Sequence, residues 1–180
     1  MINKVIINPR YTDSVFVATN TNMMVSHDGG INWSTVGLIG RWRDIEFMPG
    51  NPNVLYAAKQ SSGGSNVYKS IDGGANWSLS ANGVASSGKH RPLLSVTADN
   101  PNVIYALYSA ADYSFHGLYK SIDAGATWTL QSNTPNILGR DTDGNGTGGQ
   151  SWYDLSFAVS SIDENHLYVG GINLWESLDG

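Results

Sequence analysis

The sequence predicts an all-β protein built from about four short antiparallel sheets, and three observations carry that expectation. Composition is the first. Of 180 residues, 41% are hydrophobic and 11% aromatic, enough for a substantial core. Only 14% are charged, against a usual fraction of about 25%, so Gly, Ser and Asn must cover much of the surface. The second is periodicity: no window sustains a 3.6-residue apolar repeat, whereas short alternating runs bounded by Gly and Asn recur throughout. The third is internal repetition, which decides the architecture.

Ser26-His27-Asp28-Gly29-Gly30-Ile31-Asn32-Trp33 returns as Ser70-Ile71-Asp72-Gly73-Gly74-Ala75-Asn76-Trp77 and as Ser121-Ile122-Asp123-Ala124-Gly125-Ala126-Thr127-Trp128. A fourth copy opens at Ser177-Leu178-Asp179-Gly180. Ser26, Ser70, Ser121 and Ser177 are spaced 44, 51 and 56 residues apart. A second marker keeps the same phase. Asn8-Pro9 precedes Val15-Phe16-Val17, Asn51-Pro52 precedes Val54-Leu55-Tyr56, and Asn100-Pro101 precedes Val103-Ile104-Tyr105; in the last unit Asp163-Glu164-Asn165 precedes Leu167-Tyr168-Val169.

Taken in order, the first unit opens with an inner strand at 4–7, stopped by Asn8-Pro9. The second unit shows four strands most clearly, at 42–48, 54–59, 67–71 and 76–79. Alternation in the first of these places Trp42, Asp44, Glu46 and Met48 on one face and Arg43, Ile45 and Phe47 on the other. The third unit repeats the plan, and the fourth has its inner strand at 155–160 and lacks the Gly-x-x-Trp half of its box. Four strands per repeat of 40–50 residues are the signature of a propeller blade. The expectation is a partial β-propeller spanning 1–180, with blades at about 1–38, 39–82, 83–133 and 134–180, the last incomplete and the rest of a larger ring supplied by further blades of the parent chain.

The repeated string has a local physical logic. The Asp accepts hydrogen bonds from nearby backbone N–H groups, the Gly permits the positive φ of a tight turn, and the Trp packs the turn against the sheet. Ser26, Asp28, Trp33, Ser70, Asp72, Trp77, Ser121, Asp123, Trp128, Ser177 and Asp179 are therefore assigned a structural role.

The string resembles the Asp-box, or BNR, repeat of sialidases, sortilin-like propellers and family 74 glycoside hydrolases. Together with the Asn-Pro marker it is most similar to the sortilin-like and family 74 branch found in secreted bacterial proteins. That resemblance implies box hairpins on one rim of the fold and the blade-to-blade connections on the other, around a channel mouth. It implies a secreted or cell-surface location, although the N-terminal apolar run Val5-Ile6-Ile7 is too short for a signal peptide. Nothing in the sequence approaches the roughly 20 apolar residues of a membrane helix.

The connections lengthen along the chain, from about five residues after Val36 to 80–90 and then 132–151, and long connections in an economical fold carry function. The third holds Asp141-Thr142-Asp143-Gly144-Asn145-Gly146. Its oxygen side chains on alternate residues match the first half of a calcium loop, and Asp154 is a candidate to complete a set of Asp141, Asp143 and Asn145. The inner-strand openings bring Trp42, Arg43, Asp44, His90, Arg91, Trp152, Tyr153 and Asp154 to the expected mouth. Trp42, Arg43, Arg91, Trp152 and Tyr153 are the candidate ligand-binding residues, because flat aromatic faces and planar hydrogen-bonding groups together suit a sugar. Asp44 and Asp154 are the candidate carboxylate pair if the protein is a hydrolase.

The net charge of −5, with no basic cluster along the chain, excludes nucleic acid as a partner class. With no cysteine there is no thiol catalysis and no disulfide. Two main readings remain: a non-catalytic secreted or cell-surface module binding glycan or protein, and a polysaccharide-active hydrolase of the family 74, xyloglucanase type. Intracellular assembly-factor propellers with similar repeats are the third class.

Overall fold

The computed structural model of the protein describes residues 1–62 and 64–180. Among them all regular structure is β-strand, arranged as four antiparallel meanders. The first sheet is β1 (Ile2–Ile7), β2 (Val15–Thr19), β3 (Met23–Ser26) and β4 (Ser34–Val36). The second is β5 (Arg41–Met48), β6 (Asn51–Gln60), β7 (Asn66–Ser70) and β8 (Ser78–Ser80). The third is β9 (Pro92–Val96), β10 (Ile104–Ser109), β11 (Phe115–Ser121) and β12 (Thr129–Ser132). The fourth has three strands, β13 (Ser156–Val159), β14 (Leu167–Gly170) and β15 (Leu174–Ser177). Consecutive inner strands β1, β5, β9 and β13 lie side by side, giving a four-bladed, propeller-like arrangement.

The box turns form as their chemistry dictates. In the first, Ser26 Oγ donates to Asp28 Oδ1 at 2.8 Å and accepts from the Gly30 N–H at 2.8 Å. Asp28 then accepts from the Asn32 backbone N–H at 2.8 Å and from its side-chain amide at 2.7 Å. The second box repeats all four bonds through Ser70, Asp72, Gly74 and Asn76. In the third, Thr127 Oγ1 replaces the Asn amide at 2.6 Å. Gly30, Gly74 and Gly125 hold φ of 95°, 90° and 83°, where a side chain is strained.

The core lies between sheets. Phe16, Met23, Val25, Trp42, Ile45 and Leu55 fill the first layer. Tyr56, Val67, Leu94, Ile104, Tyr108 and Trp128 belong to the second, and Tyr105, Leu107, Leu118, Leu138, Leu155 and Leu167 to the third. The box tryptophans bind each sheet to the one before it. Trp77 packs on Gly37, just past the end of the first sheet, and on Trp42 of β5. Trp128 enters the layer behind β8, where its backbone N–H donates to Asn82 O at 2.8 Å and its indole N–H to Ser80 Oγ at 3.3 Å. Between the third and fourth sheets, beside Ser177 and Asp179, lies a cavity of about 400 Å³ bordered by Phe115, Leu118, Leu167, Val169 and Trp175.

Two expectations about β5 and β8 need correction. The outer strand of the second sheet begins at Ser78, so Trp77 precedes it. More consequentially, β5 carries a bulge at Arg43: Trp42 pairs with Lys59 and Asp44 with Ala58. A bulge shifts every residue before it to the opposite face. Trp42 therefore joins Ile45 and Phe47 in the first core layer and leaves the face of Asp44.

Candidate functional site: the channel-mouth rim

The inner hairpins touch the box turns, with Gly29 N–H donating to Asp13 O, Gly73 to Asn53 O, Ala124 to Asn102 O and Gly180 to Asn165 O, all at 2.8–3.0 Å. These turns therefore share one rim. The opposite rim gathers the turns between second and third strands and the connections between sheets. There the Gly40 N–H donates to Thr21 O at 2.9 Å and the His90 N–H to Ser109 O at 2.7 Å.

On this second rim a polar chain crosses two sheets. Arg43 donates through Nη1 to Asn3 Oδ1 at 3.3 Å and through Nε to Gln60 Oε1 at 2.6 Å. With its oxygen so engaged, Gln60 turns Nε2 as donor toward His90 Nε2 at 2.7 Å. That bond makes His90 Nε2 an acceptor and assigns the ring proton to Nδ1. The segment before β9 is pinned by Ser65 Oγ, which donates to His90 O, and by the Arg91 N–H bond to Ser109 Oγ at 3.1 Å. Lys89 turns inward instead, donating to Asn66 Oδ1 at 3.0 Å beneath the Tyr108 ring, and burial lowers it to about 8.

The third connection, 133–155, reaches the same place. Asn136 Nδ2 donates to Gly146 O and Gly148 O at 2.9 Å each, while its Oδ1 accepts the Phe115 N–H at 2.8 Å. A Cβ at Gly149 would collide with the carbonyl oxygens of Tyr113 and Leu138, so the chain threads between them only as glycine. Beyond it Arg91 Nη1 donates to Ser151 O at 2.6 Å, and Trp152 sets its ring against Tyr113 at 4.7 Å, with Tyr113 in turn 5.4 Å from the His90 ring. Trp152 remains 51% exposed and Tyr153 81%.

The electrostatics of this rim are one-sided. Among the described residues no carboxylate lies within ion-pair distance of Arg43 or Arg91. Burial, then the Arg91 and Arg41 charges, hold the Arg43 guanidinium down at about 10. Burial lowers Arg91 as well, against the pull of Asp44 and Asp154. His90 is held below its ordinary value by burial and by Arg43, Arg41 and Arg91.

The structure thus brings Arg43, Arg91 and Trp152 together, with Tyr153 and Asp154 following in the same turn. It does not bring Trp42, which is fully buried with its indole N–H donating to Leu38 O at 2.8 Å. Asp44 is also withdrawn, at 2% exposure. Its Oδ1 meets Lys4 Nζ at 2.7 Å and the Ile45 N–H at 2.9 Å, and its Oδ2 accepts the Leu94 N–H at 2.8 Å. Burial pushes this carboxyl above the ordinary range, against Lys4 and the two N–H groups. Asp44 braces the inner strands of three sheets. In the Asp141–Asn145 loop, Asp143 gives one oxygen to the Asn145 N–H at 3.0 Å and the other to its amide at 2.8 Å. No three His, Asp or Glu side chains converge among the described residues. Sequence reasoning missed Asn3, Gln60 and Tyr113. The one signal for them was a tyrosine in the short polar turn 110–114.

Comparison with known proteins agrees with the fold. The BNR/Asp-box repeat model matches residues 24–35. Over 147 residues the chain is 29% identical to a xyloglucanase of Hypocrea jecorina (strain QM6a), covering 76% of this chain and 16% of that protein. The crystal structure of the GH74 xyloglucanase from Xanthomonas campestris superposes over 99% of this chain and 28% of its own, with a TM-score of 0.72 at 19% identity. YCF48 from Cyanidioschyzon merolae does so over 97% and 55%, with a TM-score of 0.59 at 17% identity. The chain spans under a third of the length of the GH74 proteins. It is a BNR/Asp-box repeat β-propeller resembling those of GH74 xyloglucanases, and it is also similar in fold to YCF48.

Proposed function

We propose that these sheets form the carbohydrate-facing part of a polysaccharide-active propeller of the GH74, xyloglucanase type, with the rim of Arg43, Arg91, Trp152 and Tyr153 as its ligand wall. The sequence likeness to a xyloglucanase, extending over 76% of the chain, carries this reading. It favours the hydrolase reading over the non-catalytic module that the sequence alone placed first. The rim chemistry fits: an exposed indole offers a face to the C–H side of a pyranose, and guanidinium groups bridge hydroxyls.

Hydrolysis needs two carboxylates about 5–9.5 Å apart. Asp154 is accessible to serve as one. Asp44 is spent on Lys4 and two backbone N–H groups, so the second carboxylate belongs, in this reading, to other blades of the parent protein. The corresponding location is extracellular or cell-surface. The withdrawal of Asp44 is also the observation that keeps the second reading, a secreted module that binds glycan without cleaving it.

The test incubates the full natural chain carrying these residues with xyloglucan and a panel of plant and microbial polysaccharides, measuring reducing-end release and pull-down together. New reducing ends, diminished by Trp152→Ala, are expected. Retention without cleavage selects the binding module, and neither release nor retention overturns both.

A further inference from the structure

We infer that Tyr113 is the positioning residue of the ligand wall: its ring fixes the orientation in which the exposed Trp152 indole meets a sugar. The inference rests on the polysaccharide reading above and deepens it. It starts from the backbone. The Ala110 N–H donates to Ser114 O at 2.8 Å, so residues 111–113 close a three-residue hairpin loop. Such loops end on a left-handed residue, a place for glycine. Here that residue is Tyr113, at φ 69°, and a bulky side chain in this region costs backbone free energy. Among the described residues one other non-glycine has a positive φ, Ala124 at 56°. It stands in the third box, where its N–H donates to Asn102 O at 2.8 Å and its carbonyl accepts Tyr56 Oη at 3.2 Å and Lys69 Nζ at 2.7 Å. Ala124 thus ties sheets together, and its side chain is a single methyl group. Tyr113 holds a large ring in the same conformation, and strain of this kind clusters at ligand-binding positions.

The neighbours of the ring say what it does. Tyr113 meets the His90 ring at 5.4 Å and an interplanar angle of 76°, and the Trp152 ring at 4.7 Å and 60°. His90 is itself pinned through side chain and backbone: Gln60 Nε2 donates to its ring at 2.7 Å, and its own N–H donates to Ser109 O at 2.7 Å. Tyr113 therefore links a fixed ring to an exposed one. The segment leading to Trp152 leans on the same residue, because Gly149 passes between the carbonyl oxygens of Tyr113 and Leu138. With 51% of its surface open, Trp152 has little burial to select its rotamer, and Tyr113 is the one aromatic ring against it among the described residues. An indole held at one tilt offers a face of fixed direction to the C–H side of a pyranose, which spares the entropy of ordering it on binding. Glycine would suit the turn better and leave the indole unsupported.

The experiment makes Tyr113→Gly, Tyr113→Ala and Tyr113→Phe in the full natural chain. Melting is measured together with the response to a xyloglucan oligosaccharide, as KM and kcat where the sugar is cleaved and as Kd where it is only retained. Tyr113→Gly relieves the backbone while removing the ring. Its KM or Kd is expected to rise about fivefold, with kcat unchanged, since a platform remote from the reacting bond binds ground and transition states alike. Tyr113→Ala should bind as weakly and melt below the glycine variant, because it keeps a Cβ at positive φ. Tyr113→Phe keeps the ring and should bind as the unaltered chain does. In a Trp152→Ala background, Tyr113→Gly should weaken binding no further, because a positioning residue acts through the residue it positions. Should Tyr113→Gly fail to fold, Tyr113→Leu, which has no planar face, takes its place with the same expectation for binding. Unchanged affinity in the glycine variant makes Tyr113 a turn residue and overturns the inference while leaving the polysaccharide reading intact. An alanine variant that melts at or above the glycine variant denies the strain from which the inference starts. A full additional loss in the Trp152→Ala background overturns positioning in favour of direct contact with the sugar. No binding by the unaltered chain overturns the inference and the polysaccharide reading together.

Discussion

On the box rim the Asp carboxylate of each of the first three boxes is consumed by its own turn. Asp28, Asp72 and Asp123 each accept a serine hydroxyl, a backbone N–H and a side-chain donor four residues on, and the pattern repeats sheet after sheet. On the opposite rim nothing repeats. Arg43, Gln60 and His90 form one chain, Arg91 and Ser151 another, and Tyr113 and Trp152 a third contact, all from connections of different length. The first rim is satisfied within itself. The second keeps unpaired cations, orphaned donors and an exposed indole. The difference shows how a repeat fold divides its surface: identical turns hold the sheets together, and the opposite edge varies from one connection to the next.

The largest effect expected from breaking this division lies in the core behind the box rim. Trp128→Ala should cost about 3–5 kcal/mol of unfolding free energy, because the side chain is 4% exposed between two sheets. Trp33→Ala, at the equivalent position of the first box but 39% exposed, should cost about 1 kcal/mol or less; comparable losses in urea denaturation of the two variants would deny that the box indole works by joining adjacent sheets.

Trp152→Ala should do the reverse, weakening polysaccharide binding about tenfold, or about 1.4 kcal/mol, with Tm nearly unchanged. A large fall in Tm would make Trp152 a structural residue and remove the contrast between rims.

A smaller effect follows from pH. Hydrogen bonds to Asn32 and Ser26 hold Asp28 at about 2, and those to Asn76 and Ser70 hold Asp72 at about 2. An ordinary Asp titrates near about 3.9. Carboxyls depressed on folding add stability that is fully present above the unfolded value and lost as pH falls through the folded one. The denaturant midpoint should therefore hold from neutrality to about pH 4 and decline toward pH 2, with a shallower decline in Asp72→Asn. Smallest of all, Asp143→Ala should leave Tm unchanged, since its partner is its exposed neighbour Asn145.

The box was legible in the sequence because its bonds span two to four residues, so that residue type and spacing contain the whole geometry. The mouth rim was legible only in part. Arg43, Arg91 and Trp152 lie on the rim where the sequence placed them, because inner-strand openings converge in any ring of sheets. Trp42 was misplaced because the bulge at Arg43 depends on pairing with β6, which no local alternation records. Asp44 looked available because the N–H that claims its Oδ2 belongs to Leu94, fifty residues away. Gln60 and Tyr113 entered the site from second- and third-strand turns on the same rim as the connections, a convergence set by topology.

The most direct measurement is hydrogen exchange of the full natural chain with and without a bound oligosaccharide. Protection confined to the segments around 40–44, 88–92, 110–114 and 150–155, with residues 26–33, 70–77 and 121–128 unchanged, is the predicted result. Protection centred on the box turns instead, with the opposite rim unaffected, would contradict the assignment of the ligand to the channel mouth.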